Sequence, residues 1–166
     1  MENIILQQPQ AFDLVDNTIL ISGIGVGFEG TLSVYIGDGH YEIEDYIQTG
    51  ANSMKQFQAK VTIPDDIHFK LDKIYLMISD DSAGCEESEC STVLVPLIYA
   101  PNIIENYDGF WLHKVASGET LSKLAQKYYE DSKKWKIIYR SNIDRIVNPD
   151  LIHAGQILRI PREEGF

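Results

Sequence analysis

The reading of the chain turns on Trp111 to Pro161, and within it on His113-Lys114-Val115, Ser117-Gly118-Glu119-Thr120-Leu121, Asn148-Pro149-Asp150-Leu151-Ile152 and Leu158-Arg159-Ile160-Pro161. Trp111, His113 and Val115 alternate with Leu112 and Lys114, the period of a strand with one buried face. Ser117-Gly118 turns the chain, and Thr120 is a suitable N-cap for a helix. Leu121, Leu124, Ala125 and Tyr128 then recur at helical spacing, with Lys123 and Lys127 facing outward. Ser132 is expected to cap a second helix with Trp135, Ile138 and Tyr139 as its apolar stripe. Asn142 suits a left-handed residue that stops it. The Asn148–Ile152 turn and Gly155 return the chain to a closing strand, with Leu158 and Ile160 inward and Arg159 outward. The expected unit is β-α-α-β, two antiparallel strands with both helices on one face.

Outside this stretch the chain reads as strands. Leu32, Val34 and Ile36 alternate with Thr31, Ser33 and Tyr35; Phe57, Ala59, Val61 and Ile63 alternate with Gln58, Lys60 and Thr62; Ile74, Leu76 and Ile78 alternate with Tyr75 and Met77. Thr18–Ser22, a run through Tyr41, Ile43 and Ile47, and Val93–Tyr99 add further strands, and Pro96 is expected to put part of the last at a sheet edge. Gly37-Asp38-Gly39 reads as a turn. Gly23-Ile24-Gly25-Val26-Gly27 lacks the lysine of a phosphate-binding loop and is read as a bend in a strand. Six or seven short strands without a helix indicate an antiparallel, immunoglobulin-like sandwich. The expected organisation is multi-domain: an all-β sandwich over residues 1–100, a linker over 101–109 rich in Pro, Asn, Asp and Gly, and a small α+β module over 110–163.

Charge divides the chain at the same place. Residues 1–105 carry 17 acidic and 4 basic side chains, a net of −13, against 8 and 10 in residues 106–166, a net of +2, giving the chain's −11. An acidic half argues against nucleic acid as a partner, since phosphate binding needs clustered Lys and Arg. It leaves a protein partner for the sandwich open. No apolar run is long enough to span a bilayer. The N-terminal residues lack the basic and apolar regions of a secretory signal. The protein is therefore expected to be cytoplasmic, or to reach a cell wall or spore by export through a leader absent from this sequence.

Cys85 and Cys90, the two cysteines, share the loop Gly84–Cys90. A disulfide across a hairpin and a reduced pair are both open there, and a metal site is disfavoured without a second Cys/His pair. The four histidines form no metalloprotease pattern, and neither cysteine has an evident base. No catalytic residue, metal or cofactor is expected, and the chain is read as a non-enzyme.

The C-terminal residues quoted above resemble a LysM module, a small sugar-binding domain of bacterial cell-wall proteins. The resemblance implies a shallow groove for glycan with N-acetylglucosamine units, of the peptidoglycan or chitin type. It places Gly118, Glu119, Thr120 and Leu121 on one wall and Asn148, Pro149, Asp150, Leu151 and Ile152 on the other. Glu119 departs from the family's usual Asp. Ile21-Ser22-Gly23, Phe28-Glu29-Gly30 with the Leu32–Ile36 strand, and Ser82-Ala83-Gly84 before the last strand resemble Gmad2, an immunoglobulin-like domain of bacterial surface and sporulation-associated proteins. That resemblance implies a spacer or adhesive role without chemistry. Some LysM-like modules serve inside cells, so a cytoplasmic assembly module of sporulation or phage-tail type, docking a protein, is the alternative.

Overall fold

A computed structural model describes residues 3–80 and 91–163. Two compact units, Met1–Tyr99 and Ala100–Phe166, divide the chain. Cys85 and Cys90, and with them the disulfide expectation, lie outside the described residues, as does Ser82–Gly84.

The first unit is a sandwich of two sheets. One holds β1 (Ile4–Gln8), β3 (Thr18–Gly25) and β6 (Lys55–Thr62), in the order β1-β3-β6. The other holds β2 (Leu14–Val15), β8 (Thr92–Tyr99), β7 (Lys73–Ser79), β4 (Thr31–Gly37) and β5 (Glu42–Gln48), in the order β2-β8-β7-β4-β5. Alternation puts Ile19, Ile21, Phe57 and Val61 of the first sheet against Leu32, Val34, Ile36, Ile74, Leu76, Ile78 and Leu97 of the second, all buried. All ladders are antiparallel except β2–β8, which pairs only at Ile98 and Tyr99. Pro96 therefore stands where β8 lacks a strand neighbour on that side, and only its carbonyl is used, by the Phe12 N–H at 2.6 Å. The glycine-rich run begins inside β3, where the pairing with β1 shifts register between Leu6 and Gln8 opposite Gly23 and Ser22. A Cβ on Gly23 would lie 2.4 Å from the Ile5 carbonyl oxygen and 2.6 Å from the Phe57 ring, so glycine there admits the neighbouring strand and ring.

Asp38 ties the far end of this unit together. One carboxylate oxygen accepts from the His40 and Tyr41 N–H groups at 2.9 and 3.0 Å. The other accepts from Lys70 and Leu71 at 2.6 and 3.2 Å. The side chain is fully buried. Burial alone pushes its pKa up, but the four N–H donors outweigh it and hold it at about 2.

The second unit pairs β9 (Tyr107–Lys114) with β10 (Ile157–Glu163), antiparallel. The helices α1 (Leu121–Tyr129) and α2 (Trp135–Arg140) lie between them in sequence. Val115, Leu121, Leu124, Ala125, Ile138, Ile146, Leu158 and Ile160 form the core. No helix among the described residues is long and apolar enough to cross a membrane.

Four expectations give way here. The stretch read as a linker is ordered: Ala100–Asn102 forms a 3-10 turn, Ile103 and Ile104 are buried, and β9 starts at Tyr107. Asp131, not Ser132, caps the second helical segment, its side chain accepting from the Lys133 N–H. The left-handed stop belongs to Glu130 after α1 (φ 56°), where Asn142 was expected to play that part after α2. Asn142 is instead fully buried, donating to the Ile138 and Arg159 carbonyls at 2.7 Å each and accepting from the Arg159 N–H at 2.8 Å. Arg159, expected outward, is 4% exposed. The chain between α2 and β10 wraps over its side of the hairpin, and its guanidinium donates twice to Asp144 at 2.9 and 2.8 Å and once to the Ser141 carbonyl. Burial pushes the Asp144 pKa up, but Arg159 more than reverses this and holds it low.

Two outcomes are expected. Asp38→Asn lowers first-unit stability by about 1–3 kcal/mol at neutral pH, as a charged acceptor is lost. Since the folded pKa is depressed, the wild-type advantage is full above pH 3.8 and fades as pH falls through about 2, as urea unfolding followed by amide exchange will register. Arg159→Ala costs roughly 3–5 kcal/mol, since it strips the Asp144 carboxylate of its two guanidinium hydrogen bonds and leaves it, among the described residues, only the ion pair with Arg145, at 3.4 Å. Adding Asp144→Asn recovers part of it, read from the fluorescence of the two tryptophans, which both lie in the second unit.

Candidate functional site

The site builds outward from the turn between β9 and α1. Gly118 has φ +80°, and no atom lies within 4 Å of where its Cβ would sit, so glycine serves the backbone twist alone. Lys123 Nζ reaches back to the Gly118 carbonyl at 2.8 Å. Thr120, extended at φ −132°, caps α1 by accepting from the Lys123 N–H at 3.3 Å. The N–H groups of Leu121 and Ser122, the first two of α1, have no acceptor within the helix.

Glu119 turns back on its own loop. One carboxylate oxygen accepts from the Ala116 N–H at 2.8 Å and lies 2.7 Å from His113 Nε2. These bonds, the Ala116 one foremost, hold its pKa below the usual glutamate range. His113 Nδ1 lies 3.0 Å from the Tyr128 hydroxyl, and Tyr128 stacks on Trp111 with ring centroids 5.6 Å apart. Sequence reading missed this relay from Glu119 to Trp111. Its signal was the inward phase of His113 on β9, four residues before the turn that carries Glu119.

The opposite loop is a turn of its own making. The Asn148 side-chain oxygen accepts from the Asp150 N–H at 2.9 Å, and its carbonyl from the Leu151 N–H at 3.0 Å. Gly155 (φ +90°) and the Gln156 side chain, which donates to the Arg145 carbonyl, lead the chain into β10.

Between the two loops lies a groove of about 340 Å³. Of the nine residues expected to form its walls, Glu119, Thr120, Leu121, Pro149, Asp150 and Ile152 line it. Gly118, Asn148 and Leu151 do not. The Leu121 side chain belongs to the core. Leu151 is 58% exposed. Ser122 and Trp135 line the groove without having been foreseen. Trp135 was assigned to the core by its helical phase; it packs there and also presents a face to the groove. The cleft thus joins apolar surface from Trp135 and Ile152 to hydroxyls, the carboxylates of Glu119 and Asp150, and two backbone donors without a partner inside the helix. Among the described residues no cluster of three or more His, Cys, Asp or Glu is placed to hold a metal.

Residues 113–161 match the LysM domain family, and residues 3–83 match Gmad2, the immunoglobulin-like domain of bacterial spore germination. LysM domains as a family bind peptidoglycan and related glycans, and both are families of non-catalytic domains. An uncharacterized protein of Deinococcus radiodurans is 47% identical over 53 residues, covering 32% of this chain and 20% of its own. The potassium binding protein Kbp of Escherichia coli O6:H1 is 27% identical over 127 residues, 68% of this chain and 82% of its own. The chain thus spans only a fifth of the Deinococcus relative.

Removing the Glu119 carboxylate should loosen the first wall. Glu119→Ala is expected to cost about 1–2 kcal/mol, for one charged and one shared hydrogen bond. It should also change the His113 ring-nitrogen shifts in an NMR spectrum.

Proposed function

We propose that this chain, a Gmad2 domain followed by a LysM domain, is a non-catalytic carbohydrate-binding protein whose groove takes N-acetylglucosamine units of peptidoglycan or a chitin-type glycan. The observation that supports this most is the pairing of open backbone donors with apolar surface. The Leu121 and Ser122 N–H groups are suited to an acetamido carbonyl, and Trp135 and Ile152 to its methyl and to the C–H face of the sugar ring. The groove is open and each sugar contact is weak, so useful affinity comes from several sugars or several modules on one glycan. The sandwich acts as spacer or partner-binding domain. The setting is the cell wall or spore envelope, in keeping with the glycan ligand and with the germination context of the Gmad2 family.

One observation favours the alternative of an assembly module that docks a protein. On the hairpin face turned away from the helices, Phe110, Leu112 and Ile157 are exposed at 41%, 66% and 49%. Glycan titration separates the two readings. Chitin-type tetramer or hexamer added to the full chain should change the tryptophan fluorescence saturably, and Trp135→Phe should abolish most of the change. Ser122→Trp, at an exposed first-turn position, should plug the groove and weaken binding tenfold or more with the thermal midpoint unchanged. A flat titration, or one that Ser122→Trp leaves intact, would sink the glycan reading.

A further inference from the structure

The outward face of the five-stranded sheet departs from the alternation that shapes the rest of that unit. Positions turned away from a sandwich core ordinarily carry polar side chains. Here Tyr35 on β4 pairs with Met77 on β7, and Met77 with Leu94 on β8. Leu94 is 59% exposed and Tyr75 37%. Among them β4 places Gly37, opposite Tyr75 on one side and Glu42 on the other. A Cβ on Gly37 would lie 2.5 Å from the Tyr41 carbonyl oxygen, so the β4–β5 hairpin closes only with glycine there. The missing side chain leaves a cleft of about 130 Å³, walled by Tyr35, Tyr75, Met77 and Leu94 with Glu42 at its margin.

Two features give the cleft an electrostatic preference. Glu42 is exposed, and its carboxylate has no hydrogen-bond or ion-pair partner among the described residues. The Tyr75 ring already attracts one cation, Lys73 Nζ, 5.4 Å from its centroid. Aromatic faces and an unpaired carboxylate around an apolar hole suit a side chain with an apolar stem and a positive head. Glu44 follows Glu42 by two residues on the same face, roughly 6.5–7 Å along the strand, matching the repeat of an extended partner. Residues 1–105 supply the long-range field, with 17 acidic side chains against 4 basic.

We propose that this cleft seats a lysine or arginine side chain presented by an extended, basic segment of a partner protein. The stem lies against Tyr75, Met77 and Leu94, the cationic head meets Glu42, and a second basic residue two positions along meets Glu44.

The test uses the full chain and a peptide of four Lys-Thr repeats, followed through the methyl signals of Met77 and Leu94. Saturable shifts at these methyls and at Tyr75 are expected. Glu42→Lys and Leu94→Lys, both at exposed positions, should each weaken binding at least fivefold while the remaining spectrum is unchanged. Replacing the peptide's lysines by norleucine or glutamate should abolish the shifts. Equal binding of the norleucine peptide, shifts unaffected by Glu42→Lys, or no shift at millimolar peptide would overturn the proposal. Spermidine producing the same shifts at the same concentration would make this a site for small cations and overturn the assignment to a protein segment. Shifts on concentrating the chain alone would put a second copy in the cleft, with the same consequence.

Discussion

One buried amide closes the C-terminal domain. Asn142 bonds both the N–H and the carbonyl of Arg159 and uses its remaining donor on Ile138, so every polar atom it buries toward β10 has a partner. A β-strand edge is normally satisfied by another strand, but a module of this length has no room for a third. A side chain therefore stands in for strand backbone, and the loop that carries it is drawn along β10. Arg159 and Asp144 complete the seam, and the chain that follows it becomes the second wall of the groove. The position of Pro149, Asp150 and Ile152 relative to the start of α1 depends on that amide. A small core gives little other means of fixing the distance.

The N-terminal domain solves a related problem with a carboxylate. The turns at His40–Tyr41 and Lys70–Leu71 present four N–H groups that no strand can pair, and Asp38 gathers all four. Their combined field keeps the carboxylate charged despite burial. In both domains the irregular backbone is held by one polar side chain at a point where regular pairing ends. Such residues look unremarkable in a sequence: an Asp between two glycines, and an Asn after a helix.

That explains what was legible and what was not. Strand alternation and helical phase are properties of neighbouring residues, and they placed the sandwich strands and α1; the nine groove-wall residues came from the LysM resemblance, and six of them line the groove between the two loops. The two matched families agree with the order of domains expected from the residues. Arg159 was misplaced because alternation reports which face of a strand a residue occupies, not whether a loop later covers that face. Asn142 was read by its helix-stop propensity, yet its role is set by β10, seventeen residues on. Trp135 was read as core, which is correct for its inner edge and silent about the edge that meets the groove. Gly37 was read as half of a turn, but it stands one residue earlier, inside β4, where its absent side chain shapes a surface. Each miss is a tertiary relation with no local sequence signature.

The two surfaces proposed as sites obey opposite physics, which bears on how the chain works. The LysM groove offers donors and a small apolar floor to a neutral ligand, so salt should affect it little. The Gly37 cleft depends on charge and on the acidic field around it, so its attraction weakens as the Debye length shrinks with ionic strength. A weak glycan contact on its own leaves the chain exchanging rapidly on and off a polymer. A second weak contact to a protein held at the same wall raises the effective concentration for the first. Since only one of the two is screened, added salt should lower retention on a surface bearing both ligands toward that of glycan alone, and no further.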